Sequence, residues 1–251
     1  MSELITQTIE AGTHKASTTV ITLPPLTPGQ TQLTVQITVA ADVQANLVVL
    51  DQLATTDLDL TVTMDVAQAS SVNLLVLNAG HGNRHVKAQV HLNGEGAQSN
   101  LNVASVAQSQ QQMQYDTQMH NQARHTIGHI QQRGLVAAHG QLDFKSVGQI
   151  IKGAVGSDAQ QASRLLMLAE SAQGNVDPIL LIDENDVTAG HAASVGQVNQ
   201  GQMYYLLSRG LDLHHAQKLV TRGFMQPALA FLPLAEQQTY LQAIEELIAH
   251  E

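Results

Sequence analysis

The sequence predicts a mainly β protein, a parallel solenoid of stacked strands followed by a small helical unit. Three observations carry this expectation. Apolar and polar residues alternate with a period of two through most of 31–195, the pattern of strands that bury one face. The polar positions hold Thr, Gln, Asn, Ser and His in place of Lys and Glu. Rows of small uncharged groups stack comfortably when strands repeat in register. After Gly196 the apolar spacing becomes that of helices. Because no strict repeat is visible, a β-sandwich stays open as the alternative for many short strands.

Taken in order, the first thirty or so residues are expected to be irregular. Strand-like runs follow at 34–39, 57–66, 71–78, 84–92, 99–107, 113–119 and 131–144. Asn78-Ala79-Gly80 and Asn93-Gly94-Glu95-Gly96 supply turn chemistry between them. Met203, Tyr204, Leu206 and Leu207 then fall at helical spacing, and Arg209-Gly210 reads as a helix stop. Asp212 is placed to cap a second helix through Leu213, Ala216, Leu219 and Val220, ending at Gly223. A third helix is expected over 233–250, with Leu234, Leu241, Ile244, Leu247 and Ile248 apolar. The chain thus divides into a β body, 1–198, and a helical domain, 199–251.

Composition narrows the function. Only 13% of the 251 residues are charged, against about 25% in an ordinary soluble domain. Lys and Arg number 11 and Asp and Glu 21, a net charge of −10. That balance disfavours nucleic acid and anionic membrane surfaces, both of which need a basic footprint. There is no cysteine, which excludes disulfides, thiolate ligands and thiol catalysis within the chain. No run approaches the ~18 apolar residues of a membrane span, and no basic-then-apolar leader opens the chain. The expected compartment is the cytoplasm.

The chain has 12 histidines, which raises the question of a metal. His85 and His91 share strand parity but lie too far apart to be neighbours on one rung. His125 and His129 have the i, i+4 spacing of helical ligands, yet Gly128 sits between them in a strand-like context. His214 and His215 are adjacent and point apart on a helix. Asp183-Glu184-Asn185-Asp186 could hold a hard cation, but lacks a glycine-centred calcium loop and reads better as a polar turn. Gly94-Glu95-Gly96 begins a dinucleotide fingerprint that fails at Ser99. Neither a phosphate-binding loop nor a Gly-x-Ser-x-Gly elbow occurs. A β-solenoid acting on carbohydrate remains a competing reading, although such sites combine carboxylates with basic or aromatic residues in a groove, and aromatic residues are only 3% of this chain.

The most specific signal lies in the last 110 residues. Asp158-Ala159-Gln160-Gln161, Leu165-Leu166-Met167-Leu168 and Pro178 resemble the "DAYQ…LLL…P" stretch of the SufB/SufD family of iron–sulfur cluster assembly proteins. The likeness continues through Asp186-Val187 and Gly190-His191-Ala192-Ala193-Ser194-Val195-Gly196, similar to "DDVKCSHGATVG". It extends over Gln202, Tyr205 to Leu211, Ala216, Leu219 and Arg222-Gly223-Phe224, similar to "FYLRSRGI…A…LL..GF".

The resemblance implies a right-handed parallel β-helix with a helical C-terminal domain. It also implies a non-catalytic scaffold that pairs with SufB and docks the SufC ATPase through its C-terminal helices. Histidine at the junction, with no cysteine anywhere, points to the SufD type. On this reading His191 is a possible metal ligand at the partner interface, and Tyr205, Arg209, Gly210 and Phe224 belong to the partner-binding helices. No cofactor is expected to bind the chain stably by itself, although the complex could hold an iron–sulfur cluster. The position two before the histidine, often cysteine in the family, is Ala189. Set beside longer members, the sequence reads as a short form, expected to be without their N-terminal helical extension. Open β-helix edges invite pairing, so the isolated protein is expected to be a homodimer.

Overall fold

The computed structural model of the protein describes residues 2–9, 17–27, 29–53 and 57–249. The strands are β1 (Ser2–Ile9), β2 (Ser17–Thr22), β3 (Gln32–Val39), β4 (Gln44–Asp51), β5 (Leu58–Val66), β6 (Ser71–Asn78) and β7 (Arg84–Leu92). They continue as β8 (Gln98–Ala107), β9 (Gln112–Asn121), β10 (Ile127–Val136), β11 (Gln141–Ile150), β12 (Asp158–Met167), β13 (Gln173–Ile182) and β14 (Thr188–Gln197). Odd-numbered strands form one seven-stranded sheet, in the order β1-β3-β5-β7-β9-β11-β13, and even-numbered strands form the other. Every pairing is parallel and joins strands two apart in sequence. Successive strands therefore alternate between sheets, and the chain winds as a solenoid with one odd and one even strand per turn. The sandwich alternative is set aside.

Register stacks like on like. Leu33 lies opposite Leu60, Leu60 opposite Val86, Val86 opposite Tyr115, and Tyr115 opposite Phe144. All five are buried between the sheets. The odd strands expose their other face, as β5 shows by alternating buried and more exposed residues along its length. Even strands differ. β4 is buried at every position after Gln44, and it contains Leu47-Val48-Val49-Leu50. Strands covered on both sides lose the period of two. The sequence signature is correspondingly weak at β4.

That second cover is helical. The helices are α1 (Gln200–Ser208), α2 (Leu213–Leu229) and α3 (Leu234–Ala249). Met225, Ala228, Leu229, Leu232, Leu241 and Ile244 pack on Val48, Leu50, Leu75, Leu77, Ala104, Val106 and Leu135 of the even sheet. Beside them an asparagine ladder climbs the sheet. Asn100 donates to Asn73 at 2.8 Å, Asn73 to Asn46 at 2.9 Å, and Asn46 to the Phe231 carbonyl at 3.3 Å. The helical unit shares its core with the solenoid. Among the described residues, no helix is long and apolar enough to cross a membrane.

Three local expectations need correction. The first thirty residues are not uniformly irregular, since β1 and β2 begin the two sheets there. The run 131–144 is broken by a turn in which His139 has φ 59°, and it yields β10 and β11. The second helix does not stop at Gly223 but continues to Leu229, with Pro227 inside it. Burial of Met225, Ala228 and Leu229 against the sheet outweighs the poor helix propensity of one glycine, about 1 kcal/mol. The third helix matches its expected span as far as Ala249, and His250 lies outside the described residues.

One ion pair is buried at a corner of the solenoid. Arg84 Nε donates to Asp51 Oδ2 at 2.6 Å, with side chains 0% and 4% exposed. Arg84 also donates to the carbonyls of Asn83 and Leu53, and Asp51 accepts from Asn78 Nδ2 and the Leu53 N–H. Removing one charge leaves the other without compensation in a dry site. Asp51→Ala should therefore cost about 3–5 kcal/mol in urea unfolding, and the joint change Asp51→Leu with Arg84→Met should recover most of that. A loss below about 1 kcal/mol, the range of surface pairs, would contradict this.

Candidate functional site

The solenoid ends on an open rung. β13 and β14 are each the last strand of their sheet, paired on one side only. β12 contributes a row of core-facing residues, Ala159, Gln161, Ser163 and Leu165, all buried. In register above them on β14 stand Ala189, His191, Ala193 and Val195. These four are exposed, Val195 by 48%, because nothing stacks over them. His191 therefore occupies a core-facing position of an unfinished turn.

The floor beneath His191 is polar and fixed. Gln161 accepts from Ser146 Oγ at 3.1 Å and donates from Nε2 to the Ile179 carbonyl at 2.9 Å. Gly148 makes room for it, since a Cβ there would lie 2.7 Å from Gln161 Nε2. One turn deeper, Gln132 donates to Thr117 at 3.2 Å and accepts from Ser163 at 2.6 Å. The interior thus changes from aliphatic in the first turns to hydrogen-bonded amides and hydroxyls near the open end. Satisfied polar groups of this kind fix a single packing.

α1 forms a second exposed feature. Asn199 caps it by accepting from the Gln202 N–H at 2.9 Å, and Gly210, at φ 92°, ends it. No residue of α1 is buried. Tyr204 is 76% and Tyr205 54% exposed, and Leu207, Leu213 and Leu219 are exposed as well. The Arg209 guanidinium lies 5.1 Å from the Tyr205 ring centroid. Tyr205, Arg209 and Gly210 therefore share one helix end. Phe224 stands apart from them: it is half-buried, with Arg133 5.4 Å above its ring and Arg133 Nη1 donating to its carbonyl at 2.9 Å. It braces α2 against the even sheet.

The other candidates resolve into surface structure. His125 sits in a turn at φ 57°, while His129 lies on β10 within 3.3 Å of Asp158. They are not a helical pair. His215 bonds Asp212, the cap of α2. Glu184 accepts from the N–H groups of Asn185 and Gly153, which hold its carboxyl below the usual range and make it a turn cap. A stacked pair that sequence reading missed is His91 with His120, centroids 4.7 Å apart and rings within 10° of parallel. The two are adjacent only because β7 and β9 stack in register. Among the described residues, no three His, Cys, Asp or Glu side chains gather into a metal site.

Residues 6–224 match the family model described as the SufBD core domain of the SUF system for iron–sulfur cluster assembly. The iron–sulfur cluster assembly protein SufD of Bacillus subtilis (strain 168) is 39% identical over 156 residues, covering 62% of this chain and 36% of that protein. A SufBD family protein of Mycobacterium bovis is 30% identical over 145 residues, covering 58% of this chain and 17% of the relative. A second from that organism is 34% identical over 94 residues, 37% of this chain and 24% of its own length. The matched part is little more than a third of the SufD relative.

The stacked histidines generate a pH test. Burial, then the neighbouring His120, hold the His91 imidazole below its ordinary value of 6.5, with Asp65 opposing. A depressed folded-state pKa means that the unfolded chain takes up this proton first as pH falls. The contribution is complete above about pH 6.5 and is lost as pH drops towards the folded value. His91→Gln should flatten the decline in melting temperature between about pH 7 and pH 5. Parallel curves for the two proteins would show that the pair does not titrate as described.

Proposed function

Because the chain belongs to the SufBD core family of the SUF system for iron–sulfur cluster assembly, we propose that it is a SufD-like scaffold subunit without catalysis of its own. It pairs with a SufB-like protein and docks a SufC-like ATPase. One observation carries this reading: His191 lies on the core-facing row of an edge strand whose next turn is absent. A partner strand laid over β13 and β14 satisfies their free backbone groups and covers Val195. It also brings a second set of side chains up to the imidazole. Imidazole is a suitable iron ligand, yet His191 alone offers a single donor. The remaining ligands come from the partner, and the cluster is cargo built at the junction, not a resident group of this chain. In the isolated protein the same edge is expected to pair with a second copy, giving a homodimer.

The ATPase docks on α1 and the start of α2, where Tyr204, Tyr205, Leu207, Leu213 and Leu219 are each exposed. A few such anchors carry most of the energy of an interface. Phe224 contributes indirectly, by holding α2 in place through Arg133.

Two variants test the two halves of the proposal. His191→Ala should leave copurification of the three subunits intact and change stability by less than about 0.5 kcal/mol. Iron and sulfide in the complex reconstituted without oxygen should fall about tenfold or more. Normal iron and sulfide would remove His191 from the site. Tyr205→Ala with Leu207→Ala should abolish ATPase copurification while pairing with the SufB-like subunit persists, and undiminished ATPase binding would place docking elsewhere. Deleting everything from Gly201 onward is a poorer test, since it would uncover Val48, Leu50, Leu75 and Leu77 on the sheet.

A further inference from the structure

Two arginines stack on the outer face of the even sheet. Register places Arg133 of β10 opposite Arg164 of β12, with Ala104 of β8 on one side of the pair and Ser194 of β14 on the other. The columns beside them hold Gln131, Ala162 and Ala192 in one direction and Leu135, Leu166 and Gly196 in the other. Across these three columns, from β8 to β14, there is no acidic residue. Among the described residues neither arginine forms an ion pair, although the chain carries a net charge of −10.

Like charges directly opposite one another destabilise a sheet. Arg133 is partly relieved by α2, since Nη1 donates to the Phe224 carbonyl at 2.9 Å and the guanidinium lies 5.4 Å from the Phe224 ring centroid. Burial, then the charge of Arg164, pulls the Arg133 guanidinium below its ordinary value. Arg164 is exposed, and among the described residues it has no hydrogen-bond partner. The side left open to a counter-charge is the β14 edge, where Ser194 is short and exposed. A strand added there would lie about 9.6 Å from β12, two strand spacings. Long side chains on one face of a sheet interact over about 7–8 Å even on the diagonal, so Arg164 and a glutamate of the added strand meet across Ser194.

A second copy of this chain supplies that group poorly. The outer face of its β14 offers Thr188, Gly190, Ala192, Ser194 and Gly196, and the one acid on its β13, Asp177, already stands opposite Lys145. We propose that the strand closing the β14 edge carries an outward-facing carboxylate, seated over Ser194, that pairs with Arg164 and Arg133. The inference rests on the reading that a SufB-like partner finishes this edge, and adds what that partner must present. Guanidinium forks match a carboxylate in shape and form the stronger, charge-assisted hydrogen bonds. The arginine pair thereby favours the partner over a second copy, because specificity is a difference of two affinities.

The test compares the whole chain with its Arg164→Gln and Arg164→Lys variants. Affinity for the SufB-like partner is read by biolayer interferometry at low and high salt, and self-association by sedimentation velocity. Arg164→Gln should weaken partner binding about tenfold at low salt, with the difference shrinking as salt is raised. Arg164→Lys, which keeps the charge, should lose less. Self-association of Arg164→Gln should be as strong as that of the unsubstituted chain or stronger, at unchanged melting temperature. Equal partner affinity for Arg164→Gln and the unsubstituted chain would overturn the proposal. So would equal weakening of partner binding and self-association, since Arg164 would then act only by shaping the edge. Hydrogen exchange separates these failures from failure of the reading beneath them. Protection of 188–197 by the partner, with its affinity unchanged in Arg164→Gln, removes the carboxylate alone. Absence of that protection removes the partner from β14 and the proposal with it.

Discussion

Hydrogen bonding between parallel rungs is the constraint on which the molecule depends. Each inner strand satisfies its backbone with the strands two before and two after it, so side chains fall into straight columns through the stack. The columns explain the composition. Uncharged Thr, Gln, Asn and His can sit directly above their own kind, whereas columns of like charge repel. They also move the unsolved problem to the ends, where a strand has a neighbour on one side only. At the C-terminal end that problem coincides with His191, a core-facing residue that lacks a core.

The same columns assign the helices their task. The outer face of the even sheet is apolar across β4, β6, β8 and β10, and α2 and α3 cover it. The asparagine ladder and the Arg133–Phe224 contact fix where that cover sits. The helical unit is consequently a wall of the solenoid's second core, whereas α1 buries none of its residues. Rigid support beneath an exposed element is what positions a docking surface.

What could be read from the sequence follows from which faces meet water. Odd strands such as β3 and β5 were legible because one face is solvated and the alternation is clean. β4 was not, because Val48 and Leu50 are buried behind as Leu47 and Val49 are buried in front. Gly223 looked like a helix end, but tertiary burial of the following turn carries α2 past it. Asp212 and Gly210 read correctly, as capping and left-handed backbone are local properties. At the site, His191 was legible only through its motif, since its position on an open rung depends on the pairing of β12 with β14. The contact of His91 with His120 required the register of turns nearly thirty residues apart.

The central claim is that the open rung at β13 and β14 is finished by a SufB-like partner. Hydrogen exchange read by mass spectrometry tests it most directly, with the chain diluted until it sediments as a monomer and then mixed with that partner. The account predicts new protection of amides in 173–182 and 188–197, with β1 and β2 at the far end unchanged. Protection confined to the far end or to the polar face of the odd sheet, with β13 and β14 exchanging as they do alone, would contradict it.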